Sequence, residues 1–311
     1  MSKKKISIMI PMYNEEENAS AIINAVKDEL KKSCSAYDYE ILVIDNKSKD
    51  NTRNIIRQEC AKDPNVHAIF NMKNFGQFNS PYYGIINCSG DCVITICADF
   101  QDPVELIPKM VEKWEEGNKV ICMVKSKSEE SKIVYLARGI YYSLIKKMSD
   151  TEQIKQFTGF GLYDKTFVDV LRQLKDPTPF IRGVVAEYAP DHLEMTYTQP
   201  QRKAGKTHNN FFTLFDAAML SFTSYTNGLR IATFLGMFIA FVCFIIGLVY
   251  LILKLINWNS FDAGQAPLLL SVFFLGGVQL VFLGFLGEYV MSMNKRVINR
   301  PLVIEEERIN F

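Results

Sequence analysis

Two long uncharged stretches in the last third of the chain constrain its fold more than any other feature. Residues 231–253 and 267–287 contain no charged side chain, and the most polar members of the second stretch are Ser271 and Gln279. At about 1.5 Å of rise per helical residue, each stretch can span the roughly 30 Å of bilayer hydrocarbon. Two buried core helices are the alternative, but core helices are rarely this long without a charge. The sequence therefore predicts a hairpin of two transmembrane helices.

Basic residues flank the predicted hairpin at its outer ends. Arg230 precedes the first stretch, and three basic residues follow the second: Lys295, Arg296 and Arg300. Lys and Arg near transmembrane ends favour the cytoplasmic side of a membrane. The sequence therefore predicts a multi-pass protein of the inner (plasma) membrane with both termini in the cytoplasm.

These boundaries divide the chain into four parts. Residues 1–210 are expected to form a cytosolic domain, residues 230–291 the two transmembrane helices, and residues 292–311 a cytosolic tail. Between domain and hairpin, residues 211–229 are rich in aromatic side chains with polar residues between them. That pattern fits an amphipathic helix in the membrane interface. It fits a helix packed on the domain core equally well, and both interpretations stay open.

Charge and cysteine usage exclude two further classes of protein. The 35 Lys and Arg residues nearly balance the 34 Asp and Glu residues, which leaves a net charge of +1. Binding of nucleic acid through bulk positive charge is therefore not expected. The seven cysteines form no CxxC pair and no zinc spacing with the three histidines. Free thiols in a reducing compartment are the expected state.

Short apolar runs alternate with helical segments through the first 125 residues. Such alternation predicts an α/β domain with a mostly parallel sheet, in which ligands bind beyond the carboxyl ends of the strands. No GxGxxG or GxxxxGK[ST] motif supports a dinucleotide site or a P-loop. Asn14 is expected to cap the first helix, with Glu17 as its capping-box partner. The predicted strands are 6–10, 39–44, 66–70, 93–97 and 120–124, and the predicted helices are 14–32, 51–61 and 104–114.

Oxygen-rich clusters follow two of these predicted strands. Asp45 ends one strand, where its carboxylate can accept hydrogen bonds from a base or a ribose or can simply form a turn. Asp99, Gln101 and Asp102 follow another strand. Mg²⁺ and Mn²⁺ prefer such oxygen ligands and usually take one or two carboxylates plus substrate phosphates. An ordinary strand-end turn explains the second cluster as well, so neither cluster alone indicates an enzyme.

Five motifs in one order carry a resemblance to a known family. The chain resembles the family 2 glycosyltransferases, and among them the polyprenyl-phosphate glycosyltransferases such as the bactoprenol glucosyltransferases and dolichyl-phosphate mannose synthases. The motifs are PMYNEEEN (11–18), VIDNKSKDNT (43–52), NFGQ (74–77), ADFQDP (98–103) and RKAGKTHNN (202–210). The resemblance implies a Rossmann-like nucleotide-sugar domain of the GT-A type, followed by the transmembrane hairpin. It also implies transfer of a hexose from a UDP- or GDP-linked sugar to undecaprenyl or another polyprenyl phosphate, with inversion, at the cytosolic membrane face.

The resemblance further implies roles for single residues, with Mg²⁺ or Mn²⁺ as the cofactor. Asp99 and Gln101 are expected to hold the metal, and these two residues with Arg202 are the expected catalytic group. The donor is expected to contact Asp99 together with Pro11, Tyr13, Asn14, Glu15 and Asp45. The acceptor phosphate is expected to contact Lys125, Arg138, Arg202 and Lys206. The basic loop 200–210 has an alternative role as a solvated loop drawn to anionic lipid headgroups.

The chain departs from the family pattern at four positions. Cys97 stands where many relatives have an acid, and Asn46 stands where a second acid often follows Asp45. Gly159 and Gly161 occupy the acid and arginine positions of a GDFRLL-like motif. A thiolate is a poor ligand for Mg²⁺, so Cys97 is not assigned to the metal. A phosphate acceptor is already largely anionic at neutral pH, since its second pKa is near 6, and it needs little help from a general base.

Two alternatives to this function remain open at this point. In the first, the acceptor is another lipid or a polysaccharide, although two spans are few for a processive polymer synthase. In the second, the chain is instead a catalytically silent membrane partner that binds nucleotide sugar, an interpretation that only the departures support. Gly276, Gly277, Gly284 and Gly287 are compatible with close helix packing and a homo-oligomer.

Overall fold

The computed structural model describes residues 3–126, 154–200, 265–298 and 300–311, with short pieces between residues 219 and 256. The chain forms two compact units. The first consists of Met1–Tyr142, Thr151–Asn210 and Ile298–Phe311, and the second of Ser143–Asp150 and Phe211–Val297.

One eight-stranded sheet organises the described part of the first unit. Its spatial order is β7-β5-β6-β4-β1-β2-β3-β8. Strands β3, β2, β1 and β4 run parallel, whereas β6 is antiparallel to both β4 and β5, and β8 is antiparallel to β3. The strands are β1 (Lys5–Met12), β2 (Asp38–Asp45), β3 (Val66–Asn71), β4 (Cys92–Thr95), β5 (Val120–Lys125), β6 (Phe157–Asp164), β7 (Leu193–Tyr197) and β8 (Glu305–Ile309).

Helices connect the strands of this sheet along the chain. In the first unit they are α1 (Ala19–Ser33), α2 (Thr52–Lys62), α3 (Gly76–Asn87), α4 (Ile107–Glu115), α5 (Lys165–Gln173) and α6 (Ile181–Tyr188), with a 3₁₀ turn at Val104–Leu106. The long helix α7 (Gln265–Ile298) belongs almost entirely to the second unit.

The core lies around the central parallel strands. Ile6, Ile8 and Ile10 of β1 are fully buried, as are Ile41 and Val43 of β2. A parallel strand in the middle of an α/β sheet is covered on both faces, which explains why these strands read as continuous apolar runs. The predicted α/β class with a mostly parallel sheet is confirmed.

The predicted start of the first helix is wrong. Helix α1 begins at Ala19, its N-cap is Asn18, and its first turn contains no acid. Asn14 lies earlier, with φ at +54°, and its side chain bonds to the next strand-end loop rather than to α1. The backbone between Asn14 and Asn18 forms a turn in place of the predicted first turn of the helix.

Several elements were not predicted from the sequence. They are α3, β6, α5, α6, β7 and β8. Strand β8 lies within the predicted cytosolic tail 292–311, yet it pairs with β3 and forms an edge of the sheet. The tail is therefore partly a structural element of the first unit.

The apolar carboxyl-terminal region is described in part. Within the described residues, Phe274–Ile298 of α7 is long and apolar enough to cross a membrane. The other predicted span, 231–253, and the segment 211–229 lie mostly outside the described residues. The two-helix hairpin is therefore not confirmed.

Candidate functional site at the carboxyl edge of the sheet

Those predicted site residues that the structure describes lie at one edge of the sheet, because their strands are neighbours. Strand β1 lies between β2 and β4, and all three run in the same direction. Asp45 at the end of β2 and Asp99 after β4 therefore flank the loop that follows β1. The chain order of strands reverses between β1 and β4, and ligands of open α/β sheets bind at such a reversal.

Hydrogen bonds join the loop after β1 to the loop after β2. The backbone N–H of Asn14 donates to Ser48 Oγ over 2.9 Å, and the backbone N–H of Lys49 donates to Asn14 Oδ1 over 2.8 Å. The backbone N–H of Glu15 donates to Thr52 Oγ1 over 2.9 Å. Asn14 thus links the two loops, and the side chain of its neighbour Tyr13 is half-buried.

Asp45 is completely buried at the end of β2. Its Oδ2 accepts hydrogen bonds from the backbone N–H groups of Lys47 and Ser48 over 3.1 and 3.2 Å, and Arg53 Nε lies 3.2 Å away. Burial raises the pKa of Asp45, although the hydrogen bonds from Ser48 and Lys47 and the charge of Arg53 act against that rise. The carboxylate is held in one orientation before any ligand arrives.

Asn46 organises the NFGQ loop that follows β3. Its Nδ2 donates to Asn74 Oδ1 over 3.0 Å and to the Gly76 carbonyl over 3.1 Å. Its Oδ1 accepts from Phe75 N over 2.8 Å and from Asn71 Nδ2 over 3.2 Å. Only an amide can both donate and accept in this way. The missing second acid after Asp45 therefore has a structural reason.

The loop after β4 holds Asp99 in a tight turn. Asp99 is 5% exposed, and its Oδ1 accepts from the backbone N–H of Gln101 over 3.1 Å. Phe100 between them has a φ of +60°, a conformation that non-glycine residues rarely adopt. Such backbone outliers cluster at functional sites.

Asp102 fastens this loop to β7. Its Oδ2 accepts from the backbone N–H of Cys97 over 2.9 Å, and its Oδ1 accepts from the Tyr197 hydroxyl over 3.2 Å. Burial raises the pKa of Asp102. Because both oxygens bond to protein donors, Asp102 is a structural residue, whereas Cys97 beside it is exposed.

The donor atoms at this edge fit a hard divalent cation that takes most of its ligands from a substrate. Within the described ranges, no group of three or more His, Cys, Asp and Glu side chains is arranged to hold a metal. The edge offers the Asp99 carboxylate and the neighbouring Gln101 amide. Mg²⁺ and Mn²⁺ are commonly held by one or two carboxylates together with substrate phosphates, so a sparse oxygen set is compatible with either ion.

The glycines of β6 reflect close backbone packing. A Cβ atom built at Gly161 lies 2.2 Å from the carbonyl oxygen of Ile121 in β5, so no side chain fits there. Gly159 has a φ of +105°, and its carbonyl accepts a hydrogen bond from the Tyr163 hydroxyl over 2.8 Å. The arginine and acid of the GDFRLL-like pattern are thus absent where the backbone itself requires glycine.

The predicted acceptor residues are described only in part. Lys125 ends β5, in register with Tyr197 of β7, and β5 runs in the same direction as β4. Lys125 therefore lies on the same sheet edge as Asp99, and the axes of their two strands are roughly 10 Å apart at the usual strand spacing. Arg138, Arg202 and Lys206 lie outside the described residues.

Three residues near Asp45 were not singled out from the sequence: Lys47, Arg53 and Glu306. Glu306 contacts Lys47 Nζ over 2.6 Å across a separation of 259 residues. No local pattern reports a contact of that range, and the acidic run 305–307 reads as solvated tail. The left-handed turn at Lys47, with φ at +65°, gives no signal in the sequence either.

Comparison with known proteins shows the family to which this chain belongs. Residues 7–171 match the family described as glycosyl transferase family 2. The chain is 34% identical over 305 residues to the SfII prophage-derived bactoprenol glucosyl transferase of Shigella flexneri, covering 96% of this chain and 97% of that protein. It is 32% identical over 304 residues to the prophage bactoprenol glucosyl transferase homolog of Escherichia coli K12, covering 96% and 98%.

Among solved structures, the chain is similar to glucosyl-3-phosphoglycerate synthase of Mycobacterium tuberculosis in complex with Mn²⁺, UDP and phosphoglyceric acid. The TM-score is 0.49 at 14% identity, covering 71% of this chain and 76% of that one. The family match spans more than half of this chain, and the identity to the bactoprenol relatives extends over nearly its whole length. The chain therefore belongs to glycosyl transferase family 2.

Proposed function

We propose that this glycosyltransferase moves a hexose from a UDP- or GDP-linked sugar to undecaprenyl or another polyprenyl phosphate at the cytosolic face of the membrane. The observation that carries the proposal is the convergence of Asp45 and Asp99 on either side of the loop after β1. The names of the relatives support the acceptor class, since both relatives are bactoprenol glucosyl transferases or homologs of them.

The nucleoside end of the donor binds near Asp45 in this proposal. A carboxylate accepts hydrogen bonds from ribose hydroxyls or from the N–H groups of a base. Because Asp45 is completely buried in this structure, a nucleoside reaches it only when a neighbouring side chain moves aside. Pro11, Tyr13, Asn14 and Glu15 form the adjoining wall, with Asn14 acting through its hydrogen bonds to the loop after β2. A preformed wall of this kind lowers the entropic cost of binding the nucleotide.

The diphosphate lies toward Asp99 and Gln101, which would hold Mg²⁺ or Mn²⁺. When bound, the cation supplies charge neutralisation for the departing diphosphate. Asp99 is well suited to this task because its turn fixes the carboxylate before the donor arrives. Asp102 keeps that turn attached to β7 and does not contact the donor.

Attack comes from the anionic oxygen of the lipid phosphate, in line with the bond from the sugar to the diphosphate, with inversion at the sugar carbon. The acceptor needs cations rather than a base, because two anionic substrates must approach each other. Lys125 contributes from the edge of β5, and Arg138, Arg202 and Lys206 are proposed from the sequence as its partners. Arg202 is the basic residue proposed to act in catalysis.

Membrane attachment is proposed through α7, whose segment Phe274–Ile298 is long and apolar enough to cross the bilayer. We propose residues 231–253 as the second span of a hairpin, with both termini in the cytoplasm. Lys295 and Arg296 at the end of α7 favour that orientation.

The test uses the full chain purified in detergent with undecaprenyl phosphate, Mn²⁺ or Mg²⁺, and a panel of UDP- and GDP-hexoses. Lipid products are identified by mass spectrometry, with EDTA as the metal control. A hexosyl-phosphate lipid that disappears on chelation is the expected result. Activity that survives EDTA contradicts the metal role, a diacylglycerol or polysaccharide product contradicts the acceptor, and nucleotide binding without any product favours a silent partner.

A further inference from the structure

The last strand of the chain is fastened to the edge of the nucleotide-binding half of the sheet. Strand β8 pairs with β3, and the N–H of Met72 donates to the Ile304 carbonyl over 2.9 Å. Asn310 Nδ2 donates to the carbonyls of Cys60 and Val66 over 2.9 and 2.8 Å. These bonds hold β8 to β3 and to the end of α2.

A bulge in β8 displaces Glu306 from the ladder. Phe70 pairs with Glu307 and the next residue, Asn71, pairs with Glu305, so Glu306 is the extra residue in the register of the two strands. Bulges change the direction of a side chain and recur beside active sites. Here the bulge allows the Glu306 carboxylate to meet two cations at the end of β2.

The two cations are those that surround Asp45. Glu306 Oε2 accepts from Lys47 Nζ over 2.6 Å and from Arg53 Nη2 over 3.0 Å. The other side of Arg53 faces Asp45, with Nε 3.2 Å from Oδ2. The Lys47 backbone N–H bonds to the same carboxylate oxygen. Glu306, Arg53, Asp45 and Lys47 thus form a closed ring of contacts.

This ring connects the carboxyl-terminal strand directly to the proposed donor site. Arg53 is 14% exposed and lies over the Phe70 ring, with its guanidinium carbon 5.0 Å from the ring centroid. With one end at Asp45 and the other at Glu306, the guanidinium has one preferred direction. Lys47 lowers the pKa of Glu306, as does Arg53, so this carboxyl is charged at neutral pH.

We infer that Glu306 is a positioning residue for the nucleoside end of the donor, a role that rests on the proposed function. It acts through Arg53 and Lys47, which orient the Asp45 carboxylate and the turn that follows it. A strand from the far end of the chain thereby completes the nucleoside diphosphate site. Without Glu306, its two cationic partners can turn toward Asp45 or toward solvent. The Asp45 carboxylate is then held only by the backbone N–H groups of Lys47 and Ser48, and its acceptor geometry is less well fixed.

The test compares Glu306→Gln with Glu307→Gln in the full chain in detergent. Glu307 is a matched control, because it lies on the same strand as Glu306 but pairs with Arg57 over 2.6 Å and does not contact Asp45. Binding of UDP and of GDP is measured by calorimetry with Mn²⁺. From the usual strength of partly exposed ion pairs, Glu306→Gln is expected to lower the affinity for the nucleotide about three- to fivefold. Glu307→Gln is expected to leave affinity unchanged.

Two further measurements distinguish positioning from simple fastening. Glu306→Gln is expected to raise the KM for the donor with kcat nearly unchanged, and Glu306→Asp to restore most of the affinity. If the position of β8 affects nucleotide binding, the bound nucleotide must stabilise the position of β8 to the same extent. UDP or GDP should therefore slow hydrogen exchange at the Met72 amide, which bonds to the Ile304 carbonyl. Equal effects of the two glutamine variants, or no effect of either, would overturn the inference. A wild-type chain that binds neither nucleotide would instead overturn the proposed function, and this inference with it.

Discussion

At the residue scale, the amide of Asn46 connects two loops of the donor site. Replacement by Asp removes the amide N–H groups that bond to Asn74 and Gly76. It also places a carboxylate against two oxygens that only accept hydrogen bonds. Both acceptors belong to exposed residues and can bond to water instead. The loss is therefore that of the hydrogen bonds themselves, and we expect Asn46→Asp to lower the free energy of unfolding by about 0.5–1.5 kcal/mol. Urea titration measures the loss, and donor KM should rise with it. Unchanged stability would contradict the hydrogen-bond assignment.

Asp99 and Asp102 are two residues of the same loop with different expected roles. Asp99→Asn is expected to abolish hexose transfer, at least 100-fold, with the melting temperature nearly unchanged, because only the proposed metal ligand is lost. Asp102→Asn is the control and should lower the melting temperature, because its two oxygens hold Cys97 and Tyr197. Retained transfer by Asp99→Asn in the presence of Mn²⁺ would rule out the metal assignment.

The sequence predicted some of these residues and not others, for physical reasons. The positions of Asp45 and Asp99 at the sheet edge were predicted because each stands at the end of a continuous apolar run, which marks a buried parallel strand and its carboxyl end. Their roles were predicted from the family resemblance. Asn14 was predicted at the site but was also expected to cap α1, which is wrong. Glu306 escaped prediction because its contacts join residues more than 250 positions apart.

At the element scale, β6 depends on the absence of a side chain at Gly161. A Cβ at this position lies 2.2 Å from Ile121 O, a backbone atom that cannot move without displacing β5. We expect Gly161→Ala to destabilise the fold by about 1–3 kcal/mol, the usual cost of overpacking. Gly276→Ala in α7 is the control, since nothing lies within 4 Å of its Cβ position. A neutral effect at position 161 in thermal unfolding would contradict the described register of β5 and β6.

Elements differ in how well the sequence predicts them. Strands β1 to β5 and helices α2 and α4 agree with the predictions within a few residues, because their apolar runs are long and separated by polar turns. Helix α3 was missed because its Pro81 and glycines obscure the helical pattern. Strand β6 was missed because Gly159, which has a positive φ, interrupts the strand pattern near its start. Strand β8 resembles a charged tail in the sequence because an edge strand exposes alternate side chains.

At the scale of the whole molecule, the chain combines a glycosyl transferase family 2 domain with an apolar helix. We expect the full chain to sediment with membranes and to resist extraction by alkaline carbonate, because an exposed apolar segment such as Phe274–Ile298 is stable only in lipid. Fractionation followed by detection of the intact chain measures this, with a soluble cytosolic protein as the control. Release of the chain by carbonate would contradict a transmembrane anchor.

The central claim is that the donor binds across the ends of β2, β1 and β4. The most direct measurement is an electron cryomicroscopy structure of the full chain in detergent with Mn²⁺ and the nucleotide that the turnover assay selects. We expect the base and ribose beside Asp45 and the diphosphate with the metal beside Asp99. Nucleotide density away from this edge, or a diphosphate with no contact to the loop 97–103, would contradict it.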